Sequence, residues 1–173
     1  TPSQVVFVLP NNKNIIMAAQ QCVGLTEKQV IVVPTHSIPQ GISAMMSVDT
    51  AEEDPQAILA AMTEAAAAVT TAQITYAARN SDFDGFAINE GDYLALLDGK
   101  LFGTERDITS LLTRLAALAA EREAAFVTLF YGEGVSQEEA EAAQALFTEA
   151  CPETEVSLLS GGQPVYYYTI SIE

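Results

Sequence analysis

Residues 4–9, QVVFVL, put five apolar positions in a row after Gln4, and Pro10 closes them. An uninterrupted apolar run of this length marks a strand buried on both faces. Ile15, Ile16, Ala18, Ala19 and Cys22 follow at helical spacing, predicting a helix over 14–23 that Gly24 ends as its C′ residue. Residues 29–33, QVIVV, predict a second buried strand, closed by Pro34. The segment THSIPQG then reads as a loop and ISAMMSV as a short helix. Two strand–loop–helix units in succession place their strands parallel in one sheet. Both polar loops then emerge at the carboxyl edge of that sheet, where open α/β sheets bind ligands.

The pattern changes after residue 50. DTAEEDP reads as a linker. Ile58, Met62, Ala65, Ala66 and Val69 form the apolar stripe of a helix near 55–70. AQITYAARN (72–80) alternates as a strand does, and Asp98-Gly99 between two apolar runs predicts a tight hairpin. Ile108, Leu111, Leu112, Leu115 and Leu118 define an amphipathic helix over 107–120. AAFVTLFYG (124–132) is a strand. Ser136-x-x-Glu139 is a capping box opening a helix that Pro152 stops. EVSLL, the loop SGGQP and the strand VYYYTISIE complete the chain. In that strand Tyr166, Tyr168, Ile170 and Ile172 share a face. These elements divide into a first lobe over 1–70 and a second over 71–173.

The formal net charge is −16, with seven Lys and Arg against 23 Asp and Glu. A chain of that sign is repelled by phosphate backbones and anionic lipid, which argues against nucleic-acid binding. No apolar run approaches the ~18 residues of a membrane span. Residues 1–20 lack a basic start and a small-residue cleavage site, so no signal peptide is read there. The start at Thr1 reads as a fragment or a processed chain. Cys22 and Cys151 stand far apart without a C-x-x-C or a nearby His, as reduced core thiols of a cytoplasmic protein do.

Candidate chemistry is sparse. The single histidine, His36, would have to serve any Ser–His–Asp hydrolase, and no G-x-S-x-G surrounds a serine. Neither phosphate-binding glycine motif is present. Asn11, Asn12, Lys13 and Asn14 sit where the free N–H groups of a helix N-terminus point outward. They fit an anion or polar ligand, and equally a helix cap. Thr35, His36, Ser37 and Gln40 form the facing loop. The acidic stretch SDFDGFAINEGD carries Asp82, Asp84, Glu90 and Asp92 with the wrong oxygen spacing for a calcium loop, and reads as solvated turn carboxylates. Gly161, Gly162 and Gln163 precede a tyrosine run. That segment either presents aromatic edges to a partner or turns into a core strand.

Taken together, LPNNKNIIMAAQQ, VIVVPTHSIPQGISAMM, EGDYLALLDGKL and GGQPVYYYTIS resemble the C-terminal region of the ATP-binding subunit of bacterial fatty acid kinase, a dihydroxyacetone-kinase-like family. The resemblance spans almost the whole chain, with the four stretches in the family's order. It implies an α/β fold of the DegV-like (EDD-type), two-lobed, with a parallel-strand first lobe and a mixed α+β second lobe. It also implies that one strand–helix unit precedes Thr1, leaving the first lobe incomplete here. The implied function is that of a non-catalytic module docking a DegV-like fatty-acid-binding protein so that its acyl carboxylate is phosphorylated. ATP and magnesium are implied for an upstream domain, with no cofactor and no metal ligand in this chain. A homodimer would form through the parent protein. The alternative is a small-molecule binding domain holding a fatty acid or triose phosphate at Asn11–Asn14 and Thr35–Gln40. The sequence departs from the DegV-like pattern at the first ligand loop and at a turn near the end. Asn11, Asn12, Lys13 and Asn14 replace a serine-rich turn. Gly161-Gly162-Gln163-Pro164 replaces a His-Thr-Gly-Pro-Gly turn.

Overall fold

The computed structural model describes residues 1–83 and 86–173. The chain divides into two compact units, Thr1–Val69 and Thr70–Glu173. In the first, β1 (Val5–Val8) and β2 (Gln29–Val32) pair in parallel, Val5 opposite Gln29 and Val8 opposite Val32. Between them runs α1 (Lys13–Cys22). After β2 come α2 (Ile38–Met46) and α3 (Pro55–Ala68). Val33, Ala44, Met62 and Ala66 form the buried core, with Phe7, Leu9, Val48, Ile58 and Leu59 packed against it. The sheet face carrying Phe7, Leu9 and Val33 is therefore the one that meets α2 and α3.

Several local expectations change here. Every residue of β1 is only half-buried, because the core draws mainly on one face of this short sheet. Helix α1 buries none of its residues despite its apolar spacing. Gly24 is not a left-handed stop: α1 runs into a 3-10 turn, Val23–Leu25, which contains it. Helix α2 begins four residues before ISAMM. Ser37 accepts the Gln40 N–H at its N-cap, and Pro39 fits the first turn, where no donor is needed. Cys22 is exposed, so only Cys151 is a core thiol; its Sγ lies 3.4 Å from the Ala116 carbonyl oxygen.

The second unit is built on a six-stranded sheet. Its strands are β3 (Thr70–Tyr76), β6 (Tyr93–Leu97), β7 (Lys100–Glu105), β8 (Phe126–Tyr131), β9 (Glu155–Ser160) and β10 (Tyr168–Ile172). The order is β7-β6-β3-β10-β8-β9, with β8 and β9 parallel and the other pairs antiparallel. A separate ribbon joins β4 (Ser81–Phe83) to β5 (Phe86–Ile88). At the β6–β7 turn Asp98 (φ 48) and Gly99 (φ 77) both take positive φ, as a two-residue type I′ hairpin requires.

Helices α4 (Ile108–Glu121) and α5 (Gln137–Ala150) supply Leu111, Leu112, Leu115, Ala143 and Phe147 to one core with Ile74, Val127, Leu129, Tyr168 and Ile170 of the sheet. Each large aliphatic side chain so buried contributes about 1.5–3 kcal/mol. The capping box is formed: Ser136 Oγ accepts the Glu139 N–H, and Glu139 Oε2 accepts the Ser136 N–H at 2.8 Å. The last strand, β10, lies between β3 and β8, and all five of its residues are buried. Tyr166 lies before it, so the shared face starts at Tyr168.

Candidate functional site

In the first unit the ends of β1 and β2 are tied together. The Asn11 N–H donates to Thr35 Oγ1 at 3.1 Å, and Thr35 is fully buried. Asn11 holds a left-handed backbone, φ 54, a conformation that Asn tolerates better than most residues. Its amide lies directly on Gly41 of α2, where a Cβ would fall 2.1 Å from Asn11 Oδ1. That oxygen is buried with no hydrogen-bond partner among the described residues. The His36 N–H donates to Gln40 Oε1 at 2.7 Å, and Gln40 Nε2 reaches the Val69 carbonyl at 3.5 Å. Asn12 caps α1 by accepting the Asn14 N–H at 2.9 Å. Lys13 and Asn14 are exposed on the first turn of α1.

The two predicted loops thus do meet, through the Asn11–Thr35 hydrogen bond. The N–H groups of Asn14, His36 and Gln40 are taken by caps and turns within each loop. Sequence reasoning missed the apolar surface beside them. Leu9, Asn11, Ile38, Gly41, Ile42, Met45 and Met46 line an open depression of about 400 Å³. Ile38, Ile42, Met45 and Met46 are all exposed, Met46 to 81%. The available signal was that IPQGISAMM carries no charge, so a helix over it is nearly apolar all round.

Gly161, Gly162 and Gln163 belong to the second unit and serve its own loop. The N–H groups of Gly161 and Gly162 both donate to the Tyr131 carbonyl, at 3.0 and 3.2 Å. Gln163 Nε2 donates to the Phe130 carbonyl at 2.9 Å. Next comes a γ-turn in which the Tyr166 N–H reaches the Pro164 carbonyl at 2.8 Å, with Val165 between them at φ 73. Val165 is 72% exposed. Tyr167 packs edge-on against Tyr93 (centroids 5.4 Å apart), and Tyr93 against Tyr76 (5.7 Å).

Among the described residues no group of three or more His, Cys, Asp or Glu could hold a metal ion. Asp84 lies outside the described residues. Asp92 is buried rather than solvated: its Oδ2 accepts the Asn89 N–H and Nδ2, each at 3.1 Å, and its Oδ1 lies 3.8 Å from Arg106 Nε. No described helix is long and apolar enough to cross a membrane.

The profile of the FakA-like C-terminal family, the C-terminal domain of fatty acid kinase A-like proteins, matches residues 1–173. The chain belongs to this family. Protein YloV of Bacillus subtilis is 37% identical over 171 residues, 99% of this chain and 31% of YloV. An uncharacterized protein of Staphylococcus aureus is 32% identical over 170 residues, 96% of this chain and 30% of that protein. The chain therefore spans about a third of the length of these curated relatives. Among solved structures, the DegV family protein Cg2579 from Corynebacterium glutamicum superposes with a TM-score of 0.74 at 15% identity, covering 98% of this chain and 75% of that one. The Streptococcus pneumoniae fatty acid kinase B3 protein, loaded with linoleic acid, gives 0.66 at 9% identity, covering 99% and 72%. At such identities the likeness establishes the DegV-like α/β fold that this fatty acid kinase A-like domain shares.

Proposed function

We propose that this domain is a non-catalytic docking module of a fatty acid kinase A-like protein, and that its first unit seats a DegV-like, acyl-carrying partner. The observation that carries this reading is the apolar strip of α2. Ile38, Ile42, Met45 and Met46 stand exposed beside a polar loop edge whose Asn11, His36 and Gln40 N–H groups are already engaged. A surface of that kind gains more from excluding water against another protein than from holding a small anion. The choice of partner class rests on the chain's membership of a fatty acid kinase A-like family. ATP and magnesium would belong to the rest of the parent protein, which the relatives' greater length accommodates.

The test is calorimetric titration of the chain with the DegV-like protein of the same organism, loaded with oleate. Ile42→Glu and Met46→Glu should each weaken binding about tenfold or more, the scale of an interface hot spot. Added salt should also weaken it, because a −16 domain favours a partner with a basic patch. Affinity unchanged in both variants would reject the α2 face.

One observation favours a second reading, direct binding of a fatty acid or triose. The unpartnered Asn11 Oδ1 lies at the apolar depression and could accept from a ligand hydroxyl. Oleate titrated onto the isolated chain separates the two. Stoichiometric uptake selects the small-molecule reading; its absence, together with capture of the loaded partner, selects docking.

A further inference from the structure

We propose that Met45 and Met46 form a reversible oxidation site, through which a hydroperoxide switches off the α2 docking face. This rests on the docking reading above and adds the regulation of that same face.

The chain has four methionines, and all lie in the first unit. Met62 is 1% exposed and belongs to the core with Val33, Ala44 and Ala66. Met17 is 70% exposed on α1. Met45 and Met46 are 57% and 81% exposed at the end of α2, and both line the open depression. A dissolved oxidant therefore reaches Met17, Met45 and Met46, while packing shields Met62.

The chemistry is a two-electron oxygen transfer. The thioether sulfur attacks one oxygen of the hydroperoxide, an S–O bond forms, and the O–O bond breaks. Sulfur is oxidised to the sulfoxide, and the other oxygen leaves as water or alcohol. A methionine sulfoxide reductase reverses the step. Two thiols supply the electrons and close to a disulfide, and the oxygen departs as water.

Position decides what the added oxygen does. Neither Met45 nor Met46 belongs to the core of the first unit or to the apolar residues packed against it. Helix α2 is held instead by buried Pro39, Gly41 and Ala44. Sulfoxides at 45 and 46 therefore leave the fold in place, and in the free chain water solvates their S=O dipoles. Docking strips that water away. Against an apolar partner surface the oxygens are left without donors, which opposes binding. Two adjacent sulfoxides place two such groups in one strip with Ile38 and Ile42. Methionine-rich contact surfaces are sensitive to oxidation for this reason.

The experiment selects for binding within one partly oxidised sample. Cys22, which is exposed, is first blocked with iodoacetamide. The chain is treated with hydrogen peroxide, catalase removes the excess, and circular dichroism confirms the fold. The sample then passes over immobilised DegV-like protein of the same organism, loaded with oleate. Site-resolved mass spectrometry compares bound and unbound chain. Met62 should stay reduced in both. Sulfoxide at Met45 and Met46 should be depleted about tenfold in the bound fraction, while Met17 sulfoxide divides evenly. Methionine sulfoxide reductase with dithiothreitol should return the unbound chain to the bound fraction. Untreated chain that is not captured overturns the docking reading, and this inference with it. Capture of untreated chain overturns this inference alone if Met45 and Met46 sulfoxides divide evenly, if Met17 sulfoxide is depleted as strongly, or if the reductase restores no binding.

Discussion

Gly41→Ala is expected to destabilise the first unit, although alanine is the better helix former. The substitution takes the place of a mid-helix glycine in α2, which alone should gain about 1 kcal/mol. The new Cβ, however, would lie 2.1 Å from Asn11 Oδ1 and 2.7 Å from both Cγ and Nδ2, against the 3.4 Å of ordinary contact. All three heavy atoms of the amide must retreat. Asn11 cannot slide with its backbone, because its N–H is held by Thr35 Oγ1 and its φ is 54. Overpacking of this kind costs about 1–3 kcal/mol. The close, three-atom contact puts the net effect at a loss of about 1 kcal/mol or more. In an Asn11→Gly background the obstacle is gone, and glycine accepts the positive φ. There Gly41→Ala should instead stabilise by about 1 kcal/mol. The assay must see the first unit by itself. All six tyrosines lie at residue 76 or beyond, so tyrosine emission reports only the second unit. Amide hydrogen exchange along α2 reads the required free energies. Equal stabilisation by Gly41→Ala in both backgrounds would refute the argument, since it would mean that Asn11 and Gly41 do not compete for the same space.

Two further outcomes follow from the second unit. Ser136→Ala should cost about 1 kcal/mol through loss of the N-cap, read as a lower urea midpoint by tyrosine emission. Hydrogen bonds from the Ser136 hydroxyl and N–H hold Glu139 below its ordinary value of 4.5. The cap's ionic contribution is therefore complete above that value and fades as pH falls through the lower folded-state value. Ser136→Ala should flatten this acid limb, and an unchanged limb would count against the capping box as its source. Val165→Gly should raise the urea midpoint, because relief of a left-handed L-residue (about 1–2 kcal/mol) exceeds the added freedom of glycine (about 0.5–1 kcal/mol); a lower midpoint would show that the turn is unstrained.

The periodicities identify most of the elements because each is a local property. Leu111, Leu112 and Leu115 mark α4 at helical spacing, and the structure buries all three. Asp98-Gly99 and Ser136-x-x-Glu139 are turn and cap chemistry, decided within four residues, and both form as expected. The candidate site was legible only in part. Two polar loops after parallel strands do meet, through Asn11 and Thr35. The engagement of the His36 and Gln40 N–H groups was not legible, since it depends on Gln40 folding back to His36 and on Ser37 capping α2. Gly161–Gln163 read either as presenting aromatic edges to a partner or as a turn into a core strand, and its hydrogen bonds go to the carbonyls of β8.

By itself the sequence determined where the chain is apolar, where most of its turns fall, that a capping box opens α5 and that the chain is strongly acidic. Tertiary structure alone decided that the last strand enters the middle of the sheet between β3 and β8. Pairing partners far apart in sequence leave no periodic trace. It also decided which apolar faces are covered. The spacing of α1 and α2 resembles that of α3, yet only α3 and part of α2 meet the core of Val33, Ala44, Met62 and Ala66. An apolar stripe states what a helix can bury, and only the packing of its neighbours determines whether anything lies against it.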